Sequence, residues 1–380
     1  MMLFVLFAGI FCPVIGQSTF GLPQLAYPAF AFGMHDQDSF PDVLASGLDA
    51  NGNIITEVYD NVSGTSFSST SAGLTKVWRA AAAWADYDND GREDLFVCGD
   101  QGKNTFVSKL YRNVGGVLTP TSDVFEGYGS GSTFWADLDN DSDLDLFITG
   151  LTNRHGLRSV IYENTGSGFR EITDSAFIGL EEGDADFGDF DNDGDLDIVI
   201  SGVPAEGGGR VMIFENQGGM VFSPNHNSFR GLHSGSSRFM DVDGDNDLDL
   251  VTVGASPGFS AEVYQFDGSS FLASRFMLTK ISRGVAAEID YNLDGLPDVI
   301  LCGSSKQAQR LEVYRNIAGE SFQKDQLAYP LGGMSNARIY VRDMNKDGYP
   351  DFLVAGHDAG EIPRTYIYRY FPALTPPRFQ

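Results

Sequence analysis

Asp189-Phe190-Asp191-Asn192-Asp193-Gly194-Asp195-Leu196-Asp197 sets carboxylates at positions 1, 3, 5 and 9 of a nine-residue stretch, with glycine at position 6. Oxygen ligands from alternate residues of a tight turn can converge on one hard cation, and glycine gives that turn its sharpness. The run Ile198-Val-Ile-Ser-Gly202 follows directly, apolar and β-branched until the final serine and glycine. A buried strand therefore leaves the loop.

The same pattern returns at 86–94, 137–145, 241–249, 290–298 and 343–351, with a degraded copy at 34–42, and successive copies begin 49 to 53 residues apart. Within each unit a short run such as 79–85 leads into the loop and an apolar strand such as 95–98 leaves it. A variable glycine-rich loop comes next. A third strand then ends in an aromatic residue and, two places on, asparagine, as in Glu57-Val-Tyr-Asp-Asn61, Lys109-Leu-Tyr-Arg-Asn113, Val160-Ile-Tyr-Glu-Asn164, Met212-Ile-Phe-Glu-Asn216 and Glu312-Val-Tyr-Arg-Asn316. A fourth short run such as 66–69 completes the unit. Four strands per ~50 residues make the blade of a β-propeller, which buries its apolar faces by stacking blades around a channel. The expected fold is all-β, with seven four-stranded blades. Gln24-Leu-Ala-Tyr-Pro28 recurs at 326–330, directly after a fourth-strand run. By that correspondence residues 18–25 are expected to join the C-terminal blade as its outer strand and close the ring; residues 373–379 are the alternative.

The loops define the candidate metal ligands. Side-chain oxygens are expected from Asp86, Asp88, Asp90 and Asp94; Asp137, Asp139, Asp141 and Asp145; Asp189, Asp191, Asp193 and Asp197; and Asp241, Asp243, Asp245 and Asp249. Asp290, Asn292, Asp294 and Asp298 form a fifth set, and Asp343, Asn345, Asp347 and Asp351 a sixth, each with asparagine in place of one carboxylate. Position 7 holds Arg92, Asp143, Asp195, Asp247, Leu296 and Tyr349, a variety that fits a backbone-carbonyl ligand. About six Ca2+ sites follow, with structural calcium favoured over a catalytic cation. The copy at 34–42 lacks the first ligand and keeps Asp36, Asp38 and Asp42, so it is expected to be weak or empty. An EF-hand does not fit, because no glutamate stands at position 12 and the flanks have strand character.

The formal charge of −27 excludes a nucleic-acid or anionic-membrane partner, since both demand a positive surface. Six divalent ions would reduce that charge to about −15. Residues 1–16 are apolar, too short to span a bilayer, and end in a cleavable Val-x-Gly, so they read as a secretory leader cut before Gln17. Residues 17–380 then form one extracellular domain, expected to be monomeric and without a membrane span. Cys98 and Cys302 fall in equivalent strands of distant repeats and are expected to be buried free thiols. Asn61-Val-Ser63 matches a glycosylation acceptor, as does Asn140-Asp-Ser142 inside a metal loop.

The stretch 188–202 resembles the FG-GAP/VCBS repeats of integrin α-subunit propellers and their secreted relatives. That resemblance implies ions held in the hairpins between the first and second strands of each blade, on one face of the disc. Catalytic patterns are poor. His35, His155, His226, His233 and His357 are scattered and read as exposed loop residues, and the acids are absorbed by the loops. The expected function is a non-catalytic binding or adhesion module for an extracellular protein or glycan, acting through the variable loops of the opposite face. The alternative is a secreted carbohydrate-active enzyme on the same scaffold.

Overall fold

Alternation and apolar runs are realised as 28 strands, and a computed structural model describes residues 14–371 apart from 37, 174–175 and 326–330. The described residues contain no helix. The strands form seven antiparallel four-stranded sheets.

In chain order the first strands of blades 1 to 7 are Ala26–Gly33, Trp78–Ala85, Tyr128–Ala136, Glu181–Gly188, His233–Met240, Ser282–Ile289 and Ser335–Arg342. They ring a central channel lined by Phe30, Ala81, Ser132, Ala185, Ser236, Val285 and Tyr340, one residue from each blade. Every first strand carries a bulge in its pairing with the second. At each bulge a non-glycine residue takes a left-handed backbone, with φ between 47° and 57°: Tyr27, Arg79, Ser130, Glu182, Ser234, Arg283 and Asn336. The extra residue increases local twist, which splays the sheets into blades.

Second strands such as Asp94–Asp100, Asp197–Val203 and Asp351–His357 are buried almost end to end because a neighbouring blade covers each face. Their continuous apolar runs are the sequence form of that double burial. Ala136, Phe147 and Ile161 of blade 3, for example, share one cluster with Ile198, Ile200 and Phe214 of blade 4. Each large side chain so buried contributes about 1.5–3 kcal/mol. Cys98 and Cys302 are buried free thiols in the cores between blades 2 and 3 and between blades 6 and 7, as expected.

The last blade takes its outer strand from the N-terminal end of the chain, as expected, but from a segment that shares only Ser18 with the expected residues 18–25. Val14–Ser18 pairs antiparallel with Pro363–Phe371, from Val14 opposite Phe371 to Ser18 opposite Ile367. Residues beyond it turn inward instead: Leu22 and Leu25 are buried with Phe30 and Val43 of blade 1 and Leu353 and Ile367 of blade 7. Apolar side chains at 22 and 25 gain more from that junction than from an outer edge. The strand also overlaps the expected leader, because cleavage before Gln17 would leave only Gln17 and Ser18 of it. Residues 373–379 and 326–330 lie outside the described residues.

Candidate metal centres

All six intact loops connect a first strand to a second, so they share one face of the disc. In the loop 189–197 the amides of Asp193 and Gly194 donate to Asp189 Oδ1 and Oδ2, both at 3.0 Å, and the amide of Asp195 donates to Asp193 Oδ1 at 2.9 Å. Left-handed backbone at Asn192 (φ 59°) and Gly194 (φ 94°) makes these short returns possible. The other five loops repeat the same bonds at 2.8–3.2 Å. Where position 6 is not glycine, Ser142 and Asn246 still hold φ of 77° and 75°.

The position-9 carboxylate joins three segments. Asp197, 1% exposed, accepts the amide of Phe190 from its own loop at 3.2 Å and that of Asn216 from the third strand, Arg210–Asn216, at 2.9 Å, while itself opening the second strand. Burial pushes Asp94, Asp145, Asp197, Asp249, Asp298 and Asp351 up to about 7, against the pull of these backbone amides. Burial likewise raises the position-3 groups Asp88, Asp139, Asp191 and Asp243. Buried like charges that resist ionisation are what a divalent cation relieves.

Four loops bring three carboxylate oxygens within 4.8 Å of one another: Asp86, Asp88 and Asp94; Asp137, Asp139 and Asp145; Asp189, Asp191 and Asp197; Asp241, Asp243 and Asp249. The position-5 acids lie outside these groups and bond the position-7 amides instead. In the last two loops Asn292 and Asn345 stand at position 3, and their amides donate to Asp294 and Asp347 at 3.0 Å. The all-oxygen donor sets fit a hard cation such as Ca2+.

The position-7 side chains have another use. Asn89, Asn140 and Asn192, at position 4, donate to Asp143, Asp195 and Asp247 at position 7 of the following blade, at 2.7–2.8 Å. At the next junction position 4 is Gly244, and a Cβ there would stand 3.3 Å from Leu296. Position 7 is variable because it answers to the preceding blade.

The asparagine that closes the third strand was the missed functional residue, and its signal was its regular place two residues after the aromatic. Asn216 Nδ2 donates to Leu138 O of blade 3 at 2.8 Å and to Leu196 O at 3.2 Å. Asn61, Asn113, Asn164 and Asn316 reach back in the same way to Met344, His35, Tyr87 and Val242. In blade 5 Phe266 holds that place and packs its ring on Phe190, 5.0 Å away. These clasps correct one expectation: Asn61 is 1% exposed with its amide engaged, so the folded protein cannot present it for glycosylation.

Two loops depart from the pattern. Arg112 pairs with Asp88 at 2.6 Å and Asp90 at 3.0 Å, taking two expected ligands of blade 2. In the copy at 34–42, Asp36 and Asp38 bond amides of their own loop, while His35 Nδ1 meets Asp60 at 2.8 Å. His35 and Asp60 group with Asp42, a set with a nitrogen donor. His35 is buried rather than exposed because it fills position 2, where the other loops turn an apolar side chain inward; His357 is also buried, at the end of a second strand.

Nor do the loops absorb every acid: Asp186 is half-buried and Glu288 exposed in first strands. At the channel mouth on the metal face, a cavity of about 460 Å3 is lined by Asp186, Arg238, Glu288 and Arg342. Arg238 is paired with Asp184. Burial raises Asp186 to about 6, opposed by Arg238, and raises Glu288. Their signal was charge in first strands at places where blade 2 has Ala83 and Trp84.

The FG-GAP-like repeat pattern matches residues 86–148, 137–200, 189–252 and 290–354, together more than half of the chain. The chain belongs to the FG-GAP-like repeat family. No curated protein matches it in sequence. Among solved structures, a lectin from Burkholderia pseudomallei is similar with a TM-score of 0.56 at 11% identity, over 92% of this chain and 99% of that one. The fucose-specific lectin from Aleuria aurantia reaches a TM-score of 0.43 at 10% identity, over 94% and 100%. A glycoside hydrolase family 43 arabinoxylan arabinofuranohydrolase from Bacillus subtilis reaches 0.33 at 12%, over 93% of each chain. At such identities the first likeness shows the fold alone.

Proposed function

We propose that this FG-GAP-like chain is a secreted, calcium-stabilised propeller that binds an extracellular protein or glycan through the face opposite its metal loops and catalyses no reaction. The carrying observation is the position-9 carboxylate, which ties loop, second strand and third strand together in blades 3 to 6. An ion held there stiffens a hairpin and leaves the opposite loops free to vary on a rigid frame. With calcium near ~1 mM outside cells and a site dissociation constant near ~10 μM, each filled site adds roughly 2.7 kcal/mol. The test is a calorimetric melt in calcium and in chelator, with a fall of many degrees expected in chelator. An unchanged transition refutes structural calcium.

A second reading rests on Asp186 and Glu288 beside Arg238. A half-buried acid raised to about 6 next to a second acid can act as a general acid, so glycan cleavage is the rival activity. Incubation with a polysaccharide panel separates the two. Released sugar that disappears in Asp186→Asn replaces the binding reading with the catalytic one.

A further inference from the structure

On the face opposite the metal loops, a cavity of about 750 Å3 opens between blades 2 and 3. Its floor is a polar array built from both ends of blade 3. Glu126, in the segment entering the blade, has a side chain only 13% exposed and accepts from His155 Nδ1 at 2.9 Å and from Arg158 at 2.9 Å. Arg158 spends its other terminal nitrogen on Glu171, at 2.7 Å. Apolar side chains also line the cavity, among them Phe106, Val107 and Val124, the last 91% exposed.

The walls are fixed before any ligand arrives. Asn153 exchanges two hydrogen bonds with the backbone of Phe106 in blade 2, at 2.6 Å and 2.9 Å, and so pins the turn that carries His155. Thr152 Oγ1 accepts the amide of His155 at 3.0 Å within that turn. Gly127 lies so close to blade 2 that a Cβ would stand 2.0 Å from Phe106 O, so the segment bearing Glu126 is pressed in place. The equivalent linker position in blades 2 and 6, defined by the tyrosine hydroxyl that receives its amide, holds Thr75 and Thr279. The buried carboxylate here is therefore no general requirement of the blade junction.

We propose that this cavity is a saccharide subsite that takes one uncharged glycosyl unit, its vicinal hydroxyls read by Glu126 and Arg158 and its apolar face laid against Val124. A carboxylate acceptor beside a planar donor fork matches two neighbouring hydroxyls, each of which both donates and accepts. A lining that offers both polar and apolar side chains suits a ring with the same two sides. Arg158 lies between two carboxylates, and although Lys109 and Arg154 also line the cavity, a chain of net charge −27 repels acidic polymers at long range. The inference rests on the opposite face being the binding face.

The test uses the full chain in calcium, titrated against neutral oligosaccharides, uronate-containing oligosaccharides and sulfated ones. Glu126→Gln and Arg158→Lys conserve size and should each weaken neutral-saccharide binding at least tenfold with the melting temperature unchanged. Arg210→Ala, four residues before the third-strand aromatic of blade 4 as Arg158 is in blade 3, should have no effect. Neutral-saccharide binding that survives both site variants overturns the subsite while leaving glycan binding standing. Binding of acidic saccharides only overturns the ligand class, and absence of binding across the panel overturns the saccharide assignment altogether.

Discussion

Asn216→Ala isolates the inter-blade clasp from the metal. The substitution removes two donor bonds, to Leu138 O at 2.8 Å and Leu196 O at 3.2 Å, and the bond that Asn216 Oδ1 accepts from Gly218 at 3.1 Å. The site is 1% exposed, so the carbonyls left behind are not reached by solvent. A buried orphan costs about 1–3 kcal/mol, which places the total loss near ~3 kcal/mol. Unfolding entropy for a chain of this length is about 0.75 kcal/mol/K, so the transition should fall by roughly 4 °C. The backbone amide of Asn216, which holds Asp197, is unchanged by the substitution. Calcium stoichiometry and affinity should therefore stay put. Scanning calorimetry in excess calcium and a calcium titration provide the two readouts. A transition within 1 °C of the parent refutes the clasp, and a large loss of calcium affinity shows that the asparagine acts through the ion.

Further outcomes follow from the same loops. The position-9 acids titrate near 7 when folded and near 3.8 when unfolded, so between those values the native state holds the extra protons. Metal-free protein should then lose stability as pH rises from 5 to 7, whereas saturating calcium should flatten or reverse the trend; a metal-free melting temperature that rises over this range contradicts the burial argument. Asp197→Asn should remove or weaken one of about six calcium sites by calorimetric titration. It should destabilise the protein in calcium yet leave it no less stable in chelator at pH 7, because a buried charge is gone; equal melting in calcium counts against Asp197 as a ligand. Asn140→Ala cuts the bond to Asp195 and should cost about 1 kcal/mol, seen as a drop of 1–2 °C with calcium stoichiometry intact. Chains beginning at Val14 and at Gln17 should differ in melting temperature by several degrees; coincident transitions would show that Val14–Ser18 is dispensable for closure.

Much of the fold was legible because the repeat is local. Position 1 bonds positions 5 and 6 of its own loop, so Asp189 and Gly194 carry their geometry on their faces. The buried second strands are equally plain, since a blade covered on both sides has no polar face to alternate. What escaped the sequence lies between blades. Asn216 looked like a strand end, and its partner Leu138 is 78 residues away. The use of position 7 was hidden for the same reason, with Asn140 and Asp195 55 residues apart. The closing strand was expected too late in the chain, at 18–25 and not 14–18, because the likeness of that stretch to a fourth strand was real, yet packing between blades 1 and 7 draws Leu22 and Leu25 inward. Asp186 and Glu288 were lost among 52 acids until the channel set them beside Arg238.

The amide-to-carboxylate contacts between loops give the ring a grammar of adjacency. Blades 2, 3 and 4 each present an asparagine to the blade ahead, and blades 3, 4 and 5 each present an aspartate to the blade behind. Blades 3 and 4 carry both halves and could trade places without breaking a contact. Blade 6 in either place would set Leu296 against an asparagine donor. Duplication or shuffling of blades in this chain is thus constrained by single residues on the face of the acidic loops, and the order of the chain is written there as well as in its core.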